Sequence, residues 1–156
     1  SFAIRLNPKY AAAYSIRARC WIDKRLSPDE ETRQANIKKA IADMTEAIRV
    51  TVPKAWSVHY YIDRSEMYER LGEPEKALAD LTEVIRLTES KAWSSHYYNK
   101  RAEMYERLGE PEKALADLTE VIQTSAPNKR YYSFRAKLYD QLGEPEKAAA
   151  DREMAK

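Results

Sequence analysis

The segment Leu-Gly-Glu-Pro-Glu-Lys-Ala occurs three times, starting at Leu71, Leu108 and Leu142, each time inside a longer matching block. The copies stand 37 and then 34 residues apart. A unit of that length is one supersecondary element that cannot bury its apolar face alone, so its copies must stack into a solenoid. A solenoid presents an extended surface, and the work expected of such a chain is binding, not chemistry.

Each unit carries the marks of two helices. Tyr61, Met67, Tyr68 and Leu71, then Ala77, Leu78, Leu81, Val84 and Ile85, recur at steps of three and four, with charges between them. Gly72, Gly109 and Gly143 stand where a helix end needs a left-handed residue. Pro74, Pro111 and Pro145 follow at the first position of the next helix, whose N–H has no partner in any case. A fourth unit precedes these, because Ala40 to Arg49 matches Ala77 to Arg86. Its first helix is predicted from Ala11 to about Arg25. Its second is predicted from Pro28 to Val50, with Ser27 as N-cap and Glu30 completing a capping box.

The predicted fold is therefore all-α, a right-handed α-solenoid of antiparallel helix hairpins forming one repeat domain over residues 1–156. Residues 1–8 are expected to end a preceding repeat. Repeats follow at 9–52 (with the long second helix), 53–89, 90–126 and 127–156. The chain opens in mid-repeat and closes at Met154-Ala155-Lys156 with no polar capping helix. Since solenoid ends need covering, end-to-end self-association or contacts with the rest of a larger chain are expected.

Composition narrows the function. Three glycines in 156 residues are too few for a phosphate loop or a nucleotide fold. The 27 Lys and Arg nearly balance the 25 Asp and Glu, and the signs are interleaved, which leaves no footprint for nucleic acid. No apolar run reaches the length of a membrane span, so no membrane partner is expected, and a cytoplasmic setting is. No nucleophile with its base, paired-carboxylate cleft or closed metal site is recognisable, so neither an enzyme nor a cofactor is expected. The two histidines, His59 and His96, occupy equivalent positions in adjacent units, about 10 Å apart, too far to share one ion.

Several fixed positions carry a family resemblance. Ser65, Ala102 and Ala136, with Ala18 in the first unit, are small where two helices approach closely. Tyr61, Tyr98 and Tyr132, then Tyr68, Tyr105 and Tyr139, supply two large aromatics. Ala40, Ala77, Ala114 and Ala148 are the small residues of the second helix, and Asn7-Pro8 matches an inter-repeat signature. In these features the chain resembles the tetratricopeptide repeat family. The proline after each turn replaces the family's aromatic, and the inter-repeat proline is absent after Thr88. The resemblance implies a protein–protein interaction scaffold that receives a partner peptide or helix in a concave groove lined by the first helices. The alternative is an oligomerisation or accessory structural module of a larger multidomain protein or enzyme.

Carried over from the family, the groove lining is Arg19 with Ser15, Ile16, Ile22 and Asp23 in the first unit, and His59, Ile62, Asp63, Glu66, Glu69 and Arg70 in the second. The third contributes His96, Asn99, Lys100, Glu103, Glu106 and Arg107. The fourth contributes Arg130, Phe134 and Lys137, with Ser133, Asp140 and Gln141. The middle is acidic and the fourth unit basic, which suits a partner with Lys or Arg at its centre and an acidic end. Family members that clamp a C-terminal carboxylate use Lys, Asn and Arg side chains; Ser15, Arg19 and Asp63 replace three of these, so that ligand is not expected. Arg17, Arg64, Arg101 and Arg135 are expected to fork onto Asp43, Asp80, Asp117 and Asp151 of neighbouring helices and to fix repeat-to-repeat geometry. Trp56 and Trp93 are expected to pack between units, and Cys20, aligned with Met67, Met104 and Leu138, to be buried.

Overall fold

The computed structural model describes residues 10–23, 29–52, 54–88 and 90–156. Among them are eight α-helices, a one-turn 3₁₀ segment and no strand. They divide into two compact units, the first ending at Leu87 and the second starting at Thr88. The expectations for Ala3 to Pro8 and for Ser27 and Pro28 fall outside the described residues.

The first unit comprises α1 (Ala11–Trp21), α2 (Glu30–Val50), the 3₁₀ turn Lys54–Ser57, α3 (Val58–Leu71) and α4 (Pro74–Leu87). Helix α1 packs on α2 and α3 on α4, and α2 also packs on α3. The end of α1 falls before the expected Arg25: Ile22 N–H donates to Ala18 and Asp23 N–H to Cys20, which closes the last turn. Helix α2 starts later than expected, because its N-cap is Asp29, whose carboxylate accepts from Thr32 N–H at 2.6 Å and Thr32 Oγ1 at 2.9 Å. Ala18, Ile37, Ala40, Met44 and Met67 form the core, with Trp21, Ile22, Ile41, Tyr60 and Leu71 packed against it. Residues from three helices thus share one core.

The second unit comprises α5 (Lys91–Arg107), α6 (Pro111–Thr124), α7 (Lys129–Gln141) and α8 (Pro145–Met154). Helix α5 packs on α6, α7 on α8, and α6 on α7. Ala102, Ala114, Leu118 and Leu138 form its core, edged by Tyr105, Leu115, Tyr131 and Phe134. The second helix of the last hairpin departs from the others. Arg152 stands where α4 and α6 carry the fully buried Leu81 and Leu118, and Ala149 stands where they carry Leu78 and Leu115. Both are exposed, and Arg152 pairs with Asp140 of α7. Helix α8 thus turns small and charged side chains outward where α4 and α6 carry leucines.

The turns of the α3–α4, α5–α6 and α7–α8 hairpins are each set by a left-handed glycine. Gly109 has φ +73°, and behind it Glu110 N–H donates to Tyr105 O at 2.9 Å and Gly109 N–H to Glu106 O at 3.0 Å. The same bonds recur at Gly72 and Gly143. No atom lies within 4 Å of a Cβ built on Gly109, so the glycine is required by backbone conformation and not by space.

Across each hairpin an arginine of the first helix forks onto an aspartate of the second. Arg64 Nε and Nη2 donate to Asp80 at 2.8 and 2.6 Å, Arg101 to Asp117 at 2.8 and 2.7 Å, and Arg135 to Asp151 at 2.7 and 2.8 Å. Arg17 forks onto Asp43, which also accepts from the Trp21 indole at 3.2 Å. These pairs join the two helices of one hairpin, not one repeat to the next as expected. In the three glycine-turned hairpins the cause is register: the short turn sets the fork partners 16 residues apart, which brings the middle of the first helix opposite the middle of the second. Between hairpins of the first unit, Arg64 Nη1 donates to Thr45 Oγ1 of α2 at 2.9 Å.

Two placements in the sequence argument are overturned. Trp56 and Trp93 are 69% and 60% exposed. Small serines, Ser57 beside one and Ser94 and Ser95 beside the other, take the packed positions at these helix entrances, so the indoles point outward. Cys20 is exposed. Its counterpart Met67 is buried against Ile37, Ala40 and Met44, and so needs the second helix of the preceding hairpin; no such helix is described before α1.

Two outcomes follow for stability. Gly109→Ala is expected to cost about 1–2 kcal/mol, the price of a left-handed backbone alone, measured as a lower urea midpoint at unchanged slope. Asp117→Ala leaves the Arg101 guanidinium half-buried without its counter-ion and is expected to cost about 3 kcal/mol. The double substitution Arg101→Met, Asp117→Leu is expected to cost clearly less than the single one.

Candidate functional site

The second unit holds an open cleft of about 470 Å³ between its two first helices, within the size range of ligand pockets, ~300–1,000 Å³. Helix α5 contributes His96, Asn99, Glu103 and Glu106; α7 and its N-cap contribute Asn128, Arg130, Tyr131 and Phe134. On α5 these residues are spaced by three, four and three, so they make one stripe. The stripe is free to face the cleft because the Arg101 and Ala102 side of the helix is committed to α6 and the core. Asn128 sits at the mouth because its Oδ1 accepts from Arg130 N–H and starts α7.

Charge in this cleft is partly neutralised and partly open. Lys137 Nζ of α7 reaches Glu106 of α5 at 2.5 Å, an ion pair that ties the two first helices together. Glu103 accepts only an amide N–H, from Asn99 at 2.9 Å. Among the described residues the Arg130 guanidinium has no ion-pair partner. His96 stacks edge-on against Tyr97, with ring centroids 5.1 Å apart. Tyr131 and Phe134 are half-buried and give the cleft an apolar floor.

The first unit has a smaller cleft, about 70 Å³, in the equivalent place between α1 and α3, lined by Arg19, Ile22, Asp63, Glu66, Met67 and Arg70. Arg19 lies 3.7 Å from Asp63. Burial pushes the Asp63 carboxyl above the ordinary aspartate range; the Arg19 cation pulls it back and the Glu66 anion raises it further. Burial raises the carboxyl of Asp80, in the Arg64 fork, in the same direction, so the shift at Asp63 reflects its partly buried place between the helices.

The expected groove residues are therefore placed unevenly. Arg19, Asp63, Glu66 and Arg70 line one cleft, and His96, Asn99, Glu103, Glu106, Arg130 and Phe134 line the other. His59, Ile62, Glu69, Lys100 and Arg107 line neither, and Lys137 acts through Glu106. Ser15, assigned to the lining, is buried. Asn128 and Tyr131 were missed: Asn128 precedes the helix start, and Tyr131 aligns with Tyr97, which is buried. Among the described residues no group of three potential ligands could hold a metal ion, and no helix is long and apolar enough to cross a membrane.

Comparison with known proteins follows the repeat. Residues 58–91 and 95–128 match the sequence profile of the tetratricopeptide repeat. No curated protein sequence matches the chain. Among solved structures, MamA is 16% identical and superposes with a TM-score of 0.72 over 98% of this chain and 80% of that one. A tetratricopeptide repeat protein from Parabacteroides merdae is 19% identical, with a TM-score of 0.73 over 92% of this chain and 51% of that one; this chain thus spans about half its length. The second TPR of Spaghetti (RPAP3), bound to the HSP90 peptide SRMEEVD, is 21% identical, with a TM-score of 0.54 over 63% and 88% of the two chains. At these identities the likeness is one of fold.

The raised Asp63 carboxyl gives a pH-dependent outcome. A carboxyl whose folded-state pKa lies above its unfolded value, ~3.9, costs the fold stability as it ionises. The loss begins as pH rises through the unfolded value and is complete above the folded one. Asp63→Asn is therefore expected to be more stable than the parent at neutral pH and no more stable at pH below the unfolded value. Urea unfolding at both pH values measures it.

Proposed function

Because the chain belongs to the tetratricopeptide repeat family, whose fold serves protein–protein interaction in general, we propose that it is a non-enzymatic scaffold that binds a partner polypeptide along the exposed faces of its first helices. The observation that carries this reading is the cleft of the second unit, where two successive first helices present charged and aromatic side chains to open space. The forks occupy other faces of the same helices; Tyr131 and Phe134 also edge the core, Asn128 caps α7 and Glu106 bridges to Lys137, while Glu103 and Arg130 project into the cleft from exposed positions.

The partner differs from the one in the HSP90 peptide complex of Spaghetti. That peptide, SRMEEVD, ends in an acidic run. Here Glu66 in one cleft and Glu103 in the other would meet such a run with like charge, while Asp63 and Glu106 already face Arg19 and Lys137. Self-association through α8 is a weaker reading, because Arg152 replaces the leucine that the other second helices bury.

The test is capture from the source organism's lysate by the parent chain and by Glu66→Lys, Glu103→Lys. Both substituted residues are exposed, so circular dichroism is expected to be unchanged. A protein retained by the parent and lost by the variant is the expected outcome. A protein retained equally by both would place recognition elsewhere on the surface.

A further inference from the structure

Within the cleft of the second unit, two opposite charges remain without counter-ions while their neighbours are paired. Glu106 is neutralised by Lys137. Glu103 is not: its one described contact is with the neutral Asn99 amide, and it is exposed. Arg130 has no ion-pair partner among the described residues. The two charges do not meet, and helix geometry gives the reason. Helices α5 and α7 run the same way, since His96 shares the mouth with Asn128 and Arg130 while Glu106 reaches Lys137 at the far end. Arg130 occupies the repeat position of His96, and Glu103 lies seven residues further along, about 10 Å of helix. Between the charges the floor is Phe134 and Tyr131.

Resting on the scaffold reading above, we propose that this cleft selects a protein segment in extended conformation whose side chains supply the missing ions. A Lys or Arg sits on Glu103, an Asp or Glu sits on Arg130, and an apolar side chain between them lies on Phe134. The two helices also stand about 10 Å apart, so the charges are about 14 Å from each other. At about 3.3 Å per residue of extended chain, the acidic and basic residues stand about four positions apart, which keeps both, and the apolar residue midway, on the face turned to the cleft. Recognition requires both signs. A uniformly acidic segment meets Glu103 with like charge, and a uniformly basic one meets Arg130 with like charge, Glu106 and Lys137 being paired with each other. The open charges account for selectivity more than for strength, because ion pairs in contact with water contribute little each.

The test is a titration of the whole chain, followed by NMR, with the blocked peptide Ac-Asp-Ala-Leu-Ala-Lys-NH2 and its neutral analogue Ac-Asn-Ala-Leu-Ala-Gln-NH2. Saturable shifts of the Glu103, Arg130 and Phe134 amides are expected with the charged peptide, and binding about fivefold weaker with the neutral one. Glu103→Gln and Arg130→Gln, both at exposed positions, each remove one of the two pairs and are each expected to weaken the charged peptide about twofold. Equal binding of the two peptides, shifts confined to other residues, or no saturable shift at millimolar peptide would overturn the proposal. If lysate capture is nevertheless lost in Glu66→Lys, Glu103→Lys, the scaffold reading stands and only this ligand chemistry falls.

Discussion

The arginine–aspartate fork inside each hairpin is the interaction on which the rest of the structure depends. It recurs in all four hairpins, and each arginine also lies over tyrosine rings: Arg64 is 5.4 Å from the centroid of Tyr61 and 5.8 Å from that of Tyr68, and Arg101 and Arg135 repeat the arrangement with Tyr98, Tyr105, Tyr132 and Tyr139. A planar guanidinium can satisfy a carboxylate edge-on and an aromatic ring face-on at once, which a lysine cannot. The fork's energetic return is modest, because both ions leave water. Its geometric return is large, because two bonds in one plane fix how the first helix lies on the second.

With the helix pair fixed, each first helix has faces with separate duties. One face meets its own second helix through the fork. A second enters the core through small residues, Ala18 and Ala102 among them. What remains is the stripe of Glu103 and its neighbours in the second unit, and that of Asp63 and Glu66 in the first. Of these, Glu66 and Glu103 are exposed, so substituting them leaves the core untouched.

The repeat, the two-helix unit, the glycine turns and the proline helix starts were legible in the sequence because each is a local constraint on the backbone, and backbone constraints leave fixed letters at fixed spacings. Direction was not. Trp56 and Trp93 were assigned to packing because large apolar residues usually pack, yet Ser57, Ser94 and Ser95 had already filled those positions. Cys20 was assigned to the core by alignment with Met67, but alignment transfers a position and not the helix that covers it. The forks were recognised as pairs but given the wrong span, since one sequence shows that Arg64 and Asp80 recur together without showing which recurring aspartate each arginine faces. In the candidate site, the α5 stripe followed from helical spacing. The pairing of Glu106 with Lys137, which leaves Glu103 and Arg130 open, depends on how far α5 and α7 are staggered, and no local pattern encodes that.

The account's central claim is that first helices recognise while second helices and forks hold them. Hydrogen–deuterium exchange of the chain with and without its captured partner tests this most directly. Added protection concentrated in α3, α5 and α7, with α4, α6 and α8 unchanged, is the predicted result. Protection confined to the second helices, or to the turns around Gly72, Gly109 and Gly143, would contradict it.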